Sequence, residues 1–64
     1  MDFDEWKVQL AAALERECWW EAGEGQHYIE DTAEDECRKL FEKGVPPAIA
    51  AFEVYASIAT RAFG

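Results

Sequence analysis

Residues 4–20, DEWKVQLAAALERECWW, contain the strongest structural signal in this 64-residue chain. The apolar side chains in and just before this stretch recur at spacings of three and four, which places them on one side of an α-helix. They are Phe3, Trp6, Leu10, Ala13, Leu14 and Cys18. Alanine, leucine, glutamate and arginine are strong helix formers. Asp2 or Asp4 can cap the N-terminus, so the pattern predicts a first helix over residues 4–20.

The segment EAGEG, at residues 21–25, interrupts this pattern because two glycines lie within three residues. The next four residues, QHYI, are compatible with a loop, a short extended piece or an early helical turn. A second helix is predicted from Asp31 or Thr32 to about Lys43, with a capping box in DTAE or TAED and Gly44 beyond its end. Its predicted inward side chains are Ala33, Cys37, Leu40 and Phe41, with Ile29 packed ahead of them.

A third helix is predicted to begin at Pro46 or Pro47, because proline suits the first helical position. Its predicted inward stripe consists of Ile49, Phe52, Ala56, Ala59 and Phe63, widened by Tyr55 and Ile58. This helix is either the central element of the core or the seam of a dimer. The sequence therefore predicts a single all-α domain over residues 1–64, a small three-helix bundle with short connections and antiparallel sequential helices.

The composition predicts a folded chain that avoids polyanions. Half of the residues are hydrophobic and 14% are aromatic, which is unlike a disordered acidic tail. The formal net charge is −8. Phosphates repel such a protein, so it is not expected to bind nucleic acid directly or an anionic membrane surface. Basic protein surfaces would attract it instead.

The negative charge is concentrated in one part of the chain. Residues 1–36 contain twelve acids and two bases, whereas residues 37–64 contain two acids and four bases. Helix-terminal acids and the four-residue pairs Glu34–Arg38 and Asp35–Lys39 explain a part of this as ordinary helix stabilisation. The rest is either a solvated face or a binding face. The predicted partner-binding residues are Glu15, Glu17, Trp20, Glu21, Glu24, Glu30, Asp31, Glu34 and Asp35.

Two adjacent tryptophans, Trp19 and Trp20, lie within this acidic region. Neighbouring residues on a helix point about 100° apart, so both cannot occupy the inward stripe. One is expected to pack on the core, and the other to cover the glycine-rich turn or lie exposed. An exposed tryptophan would be a favoured anchor for a partner and can stack on an arginine.

The sequence predicts no catalytic site, metal site or cofactor. His27 is the only histidine, and with Cys18 and Cys37 it makes no recognised zinc spacing. The acidic surroundings would raise the pKa of a thiol rather than activate it. The N-terminus MDFDEWK is not a secretory signal, which predicts a cytoplasmic protein with reduced, buried thiols; one disulfide is the alternative.

The stretch ERECWWEAGEGQHYIEDTAEDE, at residues 15–36, resembles in charge and in its lack of catalytic motifs the small DNA-mimicking proteins of phages and mobile elements, including anti-CRISPR proteins. This resemblance implies a non-enzymatic inhibitor whose partner is a basic, nucleic-acid-binding protein such as a CRISPR effector subunit. The alternative is a helical interaction or dimerisation module that pairs through the apolar surface of the third helix. Monomer and homodimer both remain open.

Overall fold

The computed structural model describes residues 1–63 except for the side chain of Phe63, and it contains three helical rods. The first is α1 (Phe3–Cys18) and the last is α4 (Pro47–Phe63). The middle rod consists of α2 (Glu24–Tyr28), a π-helical segment (Ile29–Ala33) and α3 (Glu34–Glu42), which follow one another without a break. The predicted all-α three-helix bundle is confirmed.

Helix α1 forms as its pattern predicts. The Asp2 side chain caps it by accepting a hydrogen bond of 2.8 Å from the backbone N–H of Glu5. The helix ends at Cys18, two residues before the predicted end, because Trp19 takes a left-handed conformation with φ of 59°. Most of the predicted inward stripe is fully buried, and the buried residues of α1 are Trp6, Leu10, Ala11, Ala13 and Leu14.

The middle rod begins at Glu24, well before the predicted start near Asp31. The capping-box prediction is wrong, because both DTAE and TAED begin inside the π-helical segment. The cap comes instead from α1: the Glu15 carboxylate accepts hydrogen bonds from the backbone N–H of Gly23 at 2.8 Å and of Gly25 at 3.0 Å. A carboxylate at a helix N-terminus satisfies donors that have no partner within the helix.

The C-terminal end of the middle rod agrees with the prediction. Gly44, with φ of 80°, closes it in a Schellman arrangement. The N–H of Val45 donates to the carbonyl of Leu40 at 3.1 Å, and the N–H of Gly44 donates to that of Phe41 at 3.0 Å. The predicted inward residues are confirmed: Ile29, Ala33 and Cys37 are buried, and Leu40 and Phe41 pack against the core.

Contacts at both ends of α1 give the direction of the middle rod. The rings of Phe3 and Phe41 lie 5.2 Å apart at one end, and Glu15 meets Gly23 at the other. Sequential helices are therefore antiparallel, as predicted. Between these ends Gly25 crosses α1 so closely that an added Cβ would overlap the carbonyl oxygen of Ala11.

Helix α4 runs parallel to α1 and antiparallel to the middle rod. Near its start, the Trp6 indole Nε1–H donates to the carbonyl oxygen of Val45 at 2.9 Å. Further along, the Ser57 hydroxyl donates to the Glu36 carboxylate at 3.1 Å. The helix begins at Pro47 as predicted.

The predicted inward stripe of α4 is wrong. The residues it buries are Ala50, Ala51 and Val54, while Ile49 and Phe52 are exposed. Apolar residues lie on almost every side of this helix, so periodicity did not single out one face. Small side chains face the bulky residues of α1, which lets the two backbones approach closely. Of the other predicted inward residues, Tyr55 and Ala56 are exposed, Ile58 and Ala59 are half-buried, and the Phe63 side chain lies outside the described residues.

Candidate interaction faces

The nine predicted partner-binding residues lie in three kinds of surroundings. Glu15 is half-buried, and both of its hydrogen bonds go to the glycine-rich turn before α2. The Glu15 carboxylate therefore stabilises the fold. Sequence reasoning noted correctly that it has no basic partner, but the backbone donors that occupy it come from residues eight and ten positions away.

Glu34 also makes contacts within the fold. Its carboxylate lies 4.0 Å from Lys7 Nζ on α1 and 3.9 Å from Arg38 Nη2 on α3. Both cations also lie over the ring of Phe3, at 4.8 Å and 4.6 Å from its centroid. The predicted Glu34–Arg38 pair is confirmed. The predicted pair between Asp35 and Lys39 is wrong, since no ion pair joins these two residues of α3.

The other predicted carboxylates are exposed, and together we call them the acidic surface: Glu17, Glu21, Glu24, Glu30, Asp31 and Asp35. Two of them have polar contacts along the middle rod. Asp31 lies 3.2 Å from His27 Nε2, and Glu30 accepts a hydrogen bond of 2.9 Å from Gln26 Nε2. No lysine or arginine of residues 1–63 forms an ion pair with the acidic surface.

Trp20 lies at the edge of the acidic surface and is half-buried. Its ring packs against that of Tyr28, with centroids 5.4 Å apart and a tilt of 50°. Both rings line an open groove of about 420 Å³, together with Glu24 and Asp31. The structure thus brings three of the predicted residues together here.

Trp19, which was not among the predicted binding residues, is the exposed member of the tryptophan pair, at 93%. It lines a second open groove of about 300 Å³ between the end of α1 and the last turns of α4. Glu17 lies on the same groove, as do Tyr55 and Ala59. The left-handed φ of Trp19 turns its side chain away from the α1 stripe, and no sequence signal fixes that conformation.

Sequence reasoning placed the outer side of α4 wrongly. Ile49 is 53% exposed, Phe52 59% and Tyr55 46%. Together with Trp19 and the neighbouring alanines Ala56 and Ala59, these residues form what we call the apolar face. The sequence signal for it was present: a helix that is apolar on all sides needs more than one packing partner.

The two cysteines are free thiols with low intrinsic reactivity. Burial raises the pKa of Cys37 to about 11, and the neighbouring Glu36 adds to this. The pKa of Cys18 is also raised, by burial and then by Glu17. A thiol is nucleophilic as its thiolate, so neither side chain is activated at neutral pH. Within residues 1–63, no group of three or more His, Cys, Asp or Glu side chains is arranged to hold a metal ion.

Comparison of the chain with protein-family models, with curated proteins and with solved structures found no match. Among the described residues, no helix has the length and apolar character needed to cross a membrane.

Proposed function

We propose that this protein is a non-enzymatic inhibitor that uses its acidic surface to occupy a basic, nucleic-acid-binding surface of another protein, in the manner of a DNA mimic. The observation that supports this proposal is the set of six exposed carboxylates between Glu17 and Asp35, none of which pairs with a lysine or arginine of residues 1–63. The net charge of −8 lies at the upper end of the range, about 2–8 in magnitude, that keeps a small domain soluble, so the proposal depends on where the carboxylates lie rather than on their total.

The spacing of the carboxylates is compatible with this role. Side chains three and four apart on a helix lie about 5–6 Å from each other, while phosphates follow at about 3.4 Å along each DNA strand. Within the acidic surface, Asp31 and Asp35 have this spacing along the middle rod, so this pair presents charge somewhat more sparsely than a DNA strand does. The middle rod packs on α1 through the shared core, and the Glu15 carboxylate caps its start, so the carboxylates that lie on this rod are displayed on a fixed support.

The partner class is a protein with a groove lined by lysine and arginine. The resemblance to anti-CRISPR proteins suggests a CRISPR effector subunit, whose guide–target duplex lies in a positively charged channel. Electrostatic attraction would make association fast and sensitive to salt.

The proposal is tested with two quadruple variants of equal net charge. The first removes four unpaired carboxylates of the acidic surface: Glu17→Gln, Glu21→Gln, Glu24→Gln and Asp35→Asn. The matched control removes four exposed carboxylates elsewhere: Asp4→Asn, Glu5→Gln, Glu42→Gln and Glu53→Gln. Each variant and the unchanged chain is immobilised and used to capture proteins from cell extract at about 50 mM and about 500 mM NaCl.

The unchanged chain and the control are expected to retain the same nucleic-acid-binding protein at low salt and release it at high salt. The acidic-surface variant is expected to retain at least about tenfold less, since it lacks several charge contacts. The captured protein should also lose its labelled nucleic acid to the unchanged chain in a displacement assay. Equal loss of capture in both variants, or capture without displacement, would contradict the proposal.

The exposed side of α4 supports a second candidate function, interaction through the apolar surface of the third helix. The specific observation is the exposure of Ile49 and Phe52, which no segment of residues 1–63 covers.

A further inference from the structure

Helix α4 has an apolar side that the fold does not use. Ala50, Ala51 and Val54 face the core, yet Ile49, Phe52 and Tyr55 stand on another side in solvent. Large exposed apolar patches on a soluble protein mark interaction sites. The apolar face is therefore a candidate surface for binding a partner.

Trp19 extends this face and has no explanation in folding. It occupies the left-handed position after a helix, where glycine is preferred and other residues cost about 1 kcal/mol. At 93% exposure its ring gains almost nothing from the core in return. Because Trp19 and Tyr55 line one groove, the tryptophan is continuous with the exposed side of α4.

We infer that the occupant of the apolar face is a second copy of this chain, related by a twofold axis that packs α4 against α4. The exposed parts of Trp19, Ile49, Phe52 and Tyr55 amount to apolar area on the order of 500 Å². A standard interface buries about 800 Å² on each partner, so these four side chains account for more than half of that area. Small residues between large ones let two such helices approach closely.

Charge favours a second copy over a basic or acidic partner at this position. Helix α4 carries one acid, Glu53, and one base, Arg61, whereas the surplus negative charge belongs to residues 1–36. A twofold interface places the same patch of both copies together, so a patch of low net charge avoids repulsion between like charges. The apolar face meets that requirement except for Glu17 at the edge of its groove. This inference rests on the second candidate function, interaction through α4, and does not depend on the proposed DNA mimicry.

The self-association is tested by sedimentation equilibrium over about 1–500 µM protein, at about 50 mM and about 500 mM NaCl. The unchanged chain is expected to pass from monomer to dimer, and high salt is expected to favour the dimer because it screens repulsion between the two acidic chains. Binding through the acidic surface responds to salt in the opposite direction, so the two interactions are distinguishable.

Two variants and one control locate the interface. Phe52→Gln and Trp19→Gly are each expected to weaken the dimer at least about tenfold, as loss of an aromatic hot spot does. Trp19→Gly is expected to leave the helical circular dichroism and the melting temperature of the monomer undiminished, since glycine suits that conformation. The matched control is Val8→Gln on α1, because Val8 is 60% exposed but does not belong to the apolar face.

The expected result is a dimer whose dissociation constant is unchanged by Val8→Gln and is raised at least about tenfold by each of the other two variants. A chain that stays monomeric at every concentration and salt would overturn the inference. Assembly beyond the dimer, or equal weakening by Val8→Gln, would also overturn it, since either result indicates unspecific apolar association.

Discussion

The two long helices, α1 and α4, use their apolar residues in opposite ways. Helix α1 buries its large side chains, Leu10 and Leu14 among them, whereas α4 buries Ala50 and Ala51. Of the larger residues of α4, Ile49, Phe52 and Tyr55 are exposed, while Val54 is buried and Ile58 is half-buried against the core. Protein cores are filled at close to crystal density, so once α1 and the middle rod supply bulky side chains, little room is left for large ones from α4. The side of a helix that packs is therefore decided by its neighbours as well as by its own hydrophobicity.

Truncation of one large side chain on each helix tests this difference between α1 and α4. Leu14→Ala is expected to lower the free energy of unfolding by about 2–5 kcal/mol, because it leaves a cavity in the core. Phe52→Ala, at an exposed position, is expected to change it by less than about 0.5 kcal/mol. Urea denaturation of dilute protein, followed by circular dichroism, measures both. Similar losses in the two variants would mean that the outer side of α4 packs within the monomer.

The next largest effect concerns the other neighbour of α1. Gly25→Ala is expected to cost about 1–3 kcal/mol or more, because its Cβ would overlap the backbone of Ala11, which cannot rotate away. Gly44→Ala is the comparison, since nothing lies within 4 Å of its Cβ. There only the positive φ of 80° is unfavourable, at about 1 kcal/mol. A smaller loss at Gly25 than at Gly44 would show that α2 does not cross α1 this closely.

Local signals in the sequence predicted the elements whose ends are determined within a few residues. The Asp2 cap, the proline start of α4 and the Gly44 closure all belong to this class. The stripe of α1 was predictable as well, because polar residues on its other side leave one choice for the core. These features require no knowledge of what the helix packs against.

The wrong predictions share a dependence on distant partners. The start of α2 needs Glu15, eight residues before Gly23, and the packing of α4 needs the bulk of α1. The same holds for the candidate site. Composition located most of the acids in residues 1–36, but it could not separate Glu15 and Glu34, which contact other parts of the fold, from the exposed ones. Nor could it choose between Trp19 and Trp20, because a backbone conformation decides that.

The separation of structural from exposed acids gives a third test. Glu15→Ala is expected to lower the free energy of unfolding by about 0.5–2 kcal/mol, since two backbone donors lose a charged acceptor. Glu17→Ala, two residues along the same helix and exposed, is the matched control and is expected to have little effect. Thermal and urea unfolding would measure the difference. Equal stability of the two variants would show that the hydrogen bonds accepted by the Glu15 carboxylate do not stabilise the fold.

The smallest effect is a pH dependence that distinguishes the core from the surface thiol. Burial, together with Glu36, raises the pKa of Cys37 from 9.0 to about 11, so the folded thiol keeps its proton at a pH where the unfolded one releases it. Between these values the unfolded state binds fewer protons, and the free energy of unfolding must fall as the pH rises. The expected loss of unfolding free energy between pH 8 and pH 10 is about 1 kcal/mol.

Two variants test this assignment. Cys37→Ala should remove the part of the pH-dependent decline that comes from Cys37, while Cys18→Ser should retain that part. Urea titrations of the unchanged chain and both variants at the two pH values measure the difference; an unchanged pH dependence in Cys37→Ala would place that thiol in contact with water.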